Sequence, residues 1–209
     1  LRIIPVGWEL AALYYKEKRP FFMEGASILK TPFSAVYTRS IAEPLWGAKV
    51  SGKQGANSFS VSTVRDQQTN ILLPSNEGSY IASLEEENNS GIVRYIRDIG
   101  NGSSVGFLGT AKVAGQYSNY VAGIDGIHRI NNQDWVKWQF LTSETEYPDA
   151  FALENEQQKS LSGDAMVITA GHEAKDWTFW SSIKRTDKGL RADNGFIRRV
   201  DTKSIDGGA

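Results

Sequence analysis

The chain has no cysteine in 209 residues, so disulfide staples and thiolate metal sites are excluded. It has little net charge: 23 lysines and arginines against 24 acidic residues leave −1, with a pI near 6.2. That balance offers no basic face to a nucleic acid, and none is expected as a partner. It has no apolar run near the roughly 18 residues of a spanning helix, and its mean hydropathy is −0.37. A barrel of strands escapes that test, because only alternate residues would face lipid. Prolines number only six, against 20 glycines, a ratio that suits tight turns and closely approaching strands. The two histidines, His128 and His172, fall on different strands with no acidic motif beside them, and no metal or cofactor is expected. There is no Gly-x-Ser-x-Gly, glycine-rich phosphate loop or His-Glu-x-x-His, so no enzyme activity is expected. Leu1-Arg2-Ile3-Ile4-Pro5 has no basic region followed by an apolar core, and a processed or partial product is expected.

What is present is alternation. Between Ser104 and Ser143 the residues divide into three consecutive strands about ten residues long, with turns at Gln116-Tyr117-Ser118 and Asn131-Asn132-Gln133. Val105, Phe107, Gly109, Ala111 and Val113 share one face, opposite Thr110 and Lys112. Tyr120, Ala122, Ile124, Gly126, His128 and Ile130 oppose Asn119, Asp125 and Arg129, and Val136, Trp138 and Phe140 oppose Lys137 and Gln139. A period of two sends alternate side chains to opposite faces of a sheet. Further strands are predicted at Ser34–Ile41, Leu45–Gln54, Asn57–Asp66, Ser79–Glu87, Gly91–Ile99, Gly163–His172, Asp176–Thr186 and Leu190–Asp201. Gln67–Gly78 and Tyr147–Ser162 read as loops, the second with one helical turn, and 204–209 as a disordered or truncated tail. The expectation is an all-β antiparallel meander of about ten long strands in residues 34–209, one domain, preceded by a segment, 1–33, that leads into it.

A soluble sheet alternates as well, so period alone does not decide between water and lipid. The strands approach the nine to eleven residues of a tilted spanning strand, while soluble strands average about five or six. Tyr120, Trp135, Trp138, Trp177 and Trp180 cluster near strand ends, as interfacial girdles do. Trp135 and Trp138 have opposite parity, however, and cannot both face lipid on a regular strand.

Six segments carry a resemblance: EKRPFFMEG (Glu17 to Gly25), YTRSI (Tyr37 to Ile41), GAKVSGK (Gly47 to Lys53), GIDGIHR (Gly123 to Arg129), LTSET (Leu141 to Thr145) and RADNGFIRRVD (Arg191 to Asp201). In this order and spacing the chain resembles the N-terminal part of the barrel in a largely uncharacterised family of bacterial outer-membrane proteins. Members of that family usually carry an upstream carbohydrate-binding domain of the family-nine type, which is absent here. The resemblance implies a partial transmembrane β-barrel in the bacterial outer membrane. Its partners would be outer-membrane lipid and the remaining strands of the barrel or a partner chain. Its role would be envelope binding or passage of solutes, with a glycan connection that comes from the family alone.

Within that reading the lumen-facing binding candidates are Lys112, Asp125, Arg129 and Lys137 on the central strands, with Arg191 and Arg199 on the charged segment near the end. These groups read either as a cross-strand charge network in a watery interior or as a ligand site. Arg19 and Glu24 are expected to pair within the lead-in segment, or Phe21 and Phe22 simply to plug a core. The alternatives are a soluble β-sandwich that binds carbohydrate through exposed Trp135 and Trp177, and a secreted glycan hydrolase built on Glu85-Glu86-Glu87. The acidic triplet otherwise reads as a solvated loop end.

Overall fold

The computed structural model describes residues 17–209. They form an all-β structure. Nine strands make one antiparallel sheet: β1 (Pro44–Gln54), β2 (Asn57–Asp66), β5 (Asn88–Gly100), β6 (Ser103–Ala114), β7 (Tyr117–Arg129), β8 (Asp134–Glu146), β9 (Ser160–Glu173), β10 (Thr178–Thr186) and β11 (Thr202–Gly208). Every neighbour in this sheet follows in sequence, except that a separate hairpin, β3 (Thr69–Pro74) with β4 (Ser79–Leu84), interrupts the step from β2 to β5. Two short helices accompany the strands, α1 (Pro20–Met23) and α2 (Asp149–Glu154).

The connections differ between the two ends of the sheet. At one end they are short: 54–57, 100–103, 129–134 and 173–178. There Gly100, Asn101 and Gly102 all take positive φ, which glycine and asparagine tolerate and which lets β5 reverse into β6 at once. The other end carries the β3–β4 hairpin, α2 and the stretch 187–201.

Several sequence expectations are corrected here. Ser34–Ile41 is no strand: it holds a 3₁₀ turn at Thr38–Ser40. Its alternation comes from burial of Phe33 and Ala35 in the interior, and its backbone is engaged by a distant loop rather than a ladder. Leu190–Asp201 is likewise irregular, and the last strand is Thr202–Gly208, which takes in most of the 204–209 tail expected to be disordered or truncated. Gln67–Gly78 contains β3, whose terminal Pro74 sits where a strand can spare a donor. Tyr147–Ser162 carries the expected helical turn as α2, but it is not simply an exposed loop, because α2 buries Phe151 and Ala152.

Burial in the large sheet is inverted. Arg94 and Lys112 have almost no exposed surface, and Asn119, Gln139 and Ser143 are as closed. Meanwhile Val50 is 65% exposed, Ile124 50% and Ile205 78%. Val61, Val93, Phe107, Phe140, Ile168 and Ile183 are exposed on that same outward face. The predicted parity therefore holds across the central strands. The expectation of a watery inner face does not: Lys112 and Asp125 are buried under two stretches of the chain itself, 28–41 and 187–200. Between those stretches and the sheet lies a core that includes Leu29, Phe33, Leu108, Val121, Leu141 and Leu190.

The outward apolar residues also run obliquely to the ladder. One row of paired residues begins apolar, Val50–Val61–Val93, and passes through Gly109 and Ala122 to end polar at Thr142 and Asp164. A parallel row begins polar, Asn57–Arg97, and ends apolar, Trp138–Ile168–Ile183–Ile205.

Candidate functional site

The inward face of β6, β7 and β8 is where the charged candidates gather, and the stretch 187–200 is laid across it. That stretch leaves β10 and meets the strands in reverse order. The Asp187 amide donates to Asp164 O on β9 at 2.8 Å. The Arg191 amide donates to Ser143 Oγ on β8 at 3.0 Å. On β7, Asn119 donates through Nδ2 to Arg191 O at 3.1 Å and accepts the Asp193 amide at Oδ1 at 3.1 Å. On β6, Ala111 O accepts Asn194 Nδ2 at 2.8 Å. The Ser143 and Asn119 side chains and the carbonyls of Asp164 and Ala111 thus take the place of a neighbouring strand, which explains why a segment with strand-like alternation is not a strand. Gly163 and Gly189 permit the crossing, because a Cβ on either would overlap backbone atoms of the other segment.

Asp193 lies at the centre of this crossing. Tyr117 donates its hydroxyl to Asp193 Oδ2 at 2.6 Å. Lys112 donates through Nζ to Asn70 O at 2.9 Å and, at 3.5 Å, to the Asp193 backbone carbonyl. Burial pushes the Asp193 carboxyl above its usual range, while Tyr117, Lys112 and Arg191 pull it down. Arg191 is itself enclosed, donating to Lys188 O, Leu190 O and Gln157 Oε1. Tyr147 stacks on Tyr117 with ring centres 6.0 Å apart, and burial raises its hydroxyl pKa well above the ordinary value.

A second anchor holds the earlier stretch. Arg94 on β5 grips Asp125 on β7 with two parallel bonds of 2.6 and 2.7 Å, and its Nε donates to Ile28 O at 3.1 Å. The two side chains are only 2% and 12% exposed. They meet across the intervening β6 because Gly106 lies between them; a Cβ there would stand 2.6 Å from Arg94 Nη1. On β8, Gln139 Oε1 accepts the Phe33 amide at 2.6 Å. The two covering stretches also bond to each other, Tyr37 N to Asn194 O and Phe196 N to Ser34 O, both at 2.7 Å.

The lead-in pairing differs from expectation: Arg19 binds Glu17 at 2.8 Å, not Glu24, and donates to Thr38 O and Ile41 O. Phe22 is buried with Ile41 and Val64, so the core-plugging expectation holds for it. Burial alone would raise the Glu17 carboxyl, but Arg19 and the Thr38 hydroxyl outweigh it and hold the pKa at about 2.

The sequence candidates are therefore not one cluster. Lys112 and Arg191 belong to the crossing at 187–200, and Asp125 to the Arg94 pair. Arg129 and Lys137 stand nearer the short-turn end, Arg129 half-buried against Gly102 and Lys137 exposed, its Nζ 4.4 Å from the Trp135 ring centre. Arg199 is exposed, its segment bridged to Ser75 of the hairpin turn. Sequence reasoning missed Arg94, Tyr117 and Asn119 as partners; the glycine at inward position 106 is the trace that marks the Arg94 site.

The rim at the short-turn end holds the remaining aromatic chemistry. Trp177, 57% exposed, stacks on His172 at 4.3 Å and on Phe179 at 5.5 Å, while His172 Nδ1 lies 2.7 Å from Asp134 Oδ1. Trp135 is not part of this exposed stack: it is buried, with Nε1 donating to Glu173 Oε1 at 3.1 Å. The acidic residues Glu85, Glu86 and Glu87 are exposed, Glu87 paired with Arg65 at 2.6 Å. Among the described residues no three His, Cys, Asp or Glu side chains converge as metal ligands. None of the described residues forms a helix long and apolar enough to cross a membrane, which leaves strands untested. No protein-family model, curated protein or solved structure matches the chain. What the arrangement does chemically is to bind two stretches of its own backbone against the sheet.

Proposed function

We propose that this chain is a sector of the wall of a bacterial outer-membrane β-barrel, lined on its inside by its own residues 28–41 and 187–200, and acting in envelope binding or passage of solutes. The observation that carries the reading is the inverted burial: a closed ion pair and lysine on one face, and an open field of valine, isoleucine and phenylalanine on the other. In water such an apolar field is far beyond the scattered single residues of an ordinary surface. In hydrocarbon it is the stable arrangement. The oblique apolar band supports the same reading, since barrel strands tilt roughly 35–45° and a band level with a membrane must then slant across the ladder. Strands of 11 to 14 residues in β1 and β5–β9, apart from β2 with 10, are long enough to span with tilt. The glycan element rests on the family resemblance alone.

The test is fractionation joined to one substitution. The protein is expected to stay with membranes, to require detergent and to change gel mobility on heating. Ile124→Arg, at the centre of the outward face, is expected to impair insertion by about 2–4 kcal/mol, as arginine does at a bilayer midplane. A folded, monodisperse protein in plain buffer, indifferent to Ile124→Arg, overturns the proposal.

A further inference from the structure

The two covering stretches are charged in one sense. Residues 28–41 and 187–200 together hold six basic residues against two acidic ones, Asp187 and Asp193, a net +4 within a chain whose net charge is −1. Asp193 is buried, whereas Lys30, Lys188 and Arg199 are exposed. The solvated side of the lining is therefore cationic.

The strands beside the lining continue the pattern. Lys137 on β8 pairs with Thr169 on β9, Thr169 pairs with Ser182 on β10, and Lys184 follows Ser182 on the same inward face. Two hydroxyls thus lie between two lysines in one continuous patch. Both lysines are exposed, and among the described residues neither joins an ion pair. Each ammonium instead lies near an aromatic ring, Lys137 Nζ 4.4 Å from the Trp135 centre and Lys184 Nζ 4.9 Å from that of Phe33 in the lining. A ring face attracts a cation without neutralising it. Thr169 Oγ1 and Ser182 Oγ are 2.9 Å apart, so one hydroxyl hydrogen is used between them and the other is left to donate elsewhere. Arg129, paired with Trp135 on β8, stands diagonal to Lys137 and adds a third positive charge. The inward acids nearest by register are already engaged: Asp125 by Arg94, Glu173 by Trp135 Nε1 and Asp206 by the Ser204 hydroxyl.

Ammonium groups carry donors and no acceptor, so the complement of this patch is an acceptor-rich anion. Charges of one sign along a low-dielectric wall also concentrate ions of the opposite sign, and lysine and arginine linings favour anions in pores. We infer, resting on the reading of this face as the inside of a barrel wall, that Lys137, Thr169, Ser182 and Lys184 form a binding patch for the oxyanion group of a solute. A carboxylate, sulfate or phosphate would accept from both ammonium groups and from the free hydroxyl hydrogen. The cationic lining, with Lys30, Lys188 and Arg199, draws the same class of solute along the wall.

Thiol modification tests this, because these 209 residues contain no cysteine. Ser204→Cys places a thiol opposite Lys184, beside the patch and outside it. The variant is made in the full-length protein, held in membrane fragments, with any other cysteine replaced by serine. Its rate with the anionic sulfonatoethyl methanethiosulfonate is compared with that of the cationic trimethylammonium reagent, each relative to a free thiol. The expected result is a preference of about tenfold for the anionic reagent, collapsing at about 1 M salt, where the screening length is about 3 Å. Inorganic sulfate or dextran sulfate should slow the reaction. Lys137→Gln with Lys184→Gln should remove both the preference and the protection, while Lys184→Arg keeps them. Should the double variant not fold, the preference and protection of Ser204→Cys decide alone. Protection by inorganic sulfate shows that a free oxyanion suffices; protection by dextran sulfate only assigns the patch to an oxyanion carried on a larger solute. Equal rates, a preference for the cationic reagent, protection by neither sulfate, or a thiol closed to both reagents overturns the inference. Ile124→Cys separates it from the reading beneath, since a thiol facing lipid should resist both charged reagents. If Ile124→Cys reacts with both as a free thiol does, the membrane reading fails, and Ser204→Cys still judges the patch.

Discussion

Arg94 and Asp125 show how a single buried pair can fasten a chain to a wall. The guanidinium spends two donors on the carboxylate and a third on Ile28 O, so removing either partner strands a charge under the covering stretch. Asp125→Ala is expected to destabilise the folded protein by about 3–5 kcal/mol, read as a lower urea midpoint for loss of the folded gel band, whereas Arg94→Met with Asp125→Leu recovers much of it. Glu17 makes a pH prediction. Its folded pKa, about 2, lies below the ordinary 4.5, so its contribution is complete above pH 4.5 and is lost as pH falls toward 2. Glu17→Gln should therefore cost on the order of 1–2 kcal/mol at pH 7, allowing for partial exposure, and should flatten the acid limb of an unfolding-against-pH curve between 4.5 and 2. An equal acid limb in both proteins would remove Glu17 from the account. At this scale Asp125 was legible by its period, but Arg94 was not, because the pair closes across an intervening strand that only Gly106 makes passable.

The elements divide into ladder and lining. The stretches 45–54, 57–66 and 104–143 announce themselves, since their residues alternate between two faces and the sheet uses both. The stretch 190–201 carries the same pattern for another reason: Leu190, Ala192, Ile197 and Val200 pack onto the wall while its amides find Ser143 and Asn119. Period two records burial on alternate sides and is silent about what supplies the hydrogen bonds. Conversely, 202–208 lacks apolar alternation beyond Ile205 and becomes a strand because β10 offers it an edge. Gly163→Ala should displace the crossing at 187–191 without breaking the ladder. The expected readout is new protease cleavage between residues 187 and 201, with the heat-induced mobility shift retained; unchanged protection would show that the crossing tolerates a methyl group.

At the scale of the whole molecule, the all-β antiparallel class was readable from sequence, and the burial of the inner face was not. A polar face reads as wet until something covers it, and the covers here come from opposite ends of the chain. Lys112 is an inward-facing residue by parity and a core residue by circumstance. The proposed wall is thus thicker than one sheet, and a solute passing this sector would have to do so beside the lining rather than along the strands.

The β3–β4 hairpin has a consequence for the order of assembly. Its Ile71 and Leu73 share a core with Tyr117, Tyr147 and Phe151, and Tyr80 donates to Asn155 O at 2.9 Å. Tyr147, Phe151 and Asn155 come after four more strands have been synthesised, and an isolated two-stranded hairpin is marginal in water. Neighbouring strands of the large sheet can zip in sequence with short loop closures, but the hairpin must wait for the β8–β9 connection, and the crossing at 187–200 arrives later still. Folding would then proceed from wall to cap to lining, so that the polar inner face is sealed last.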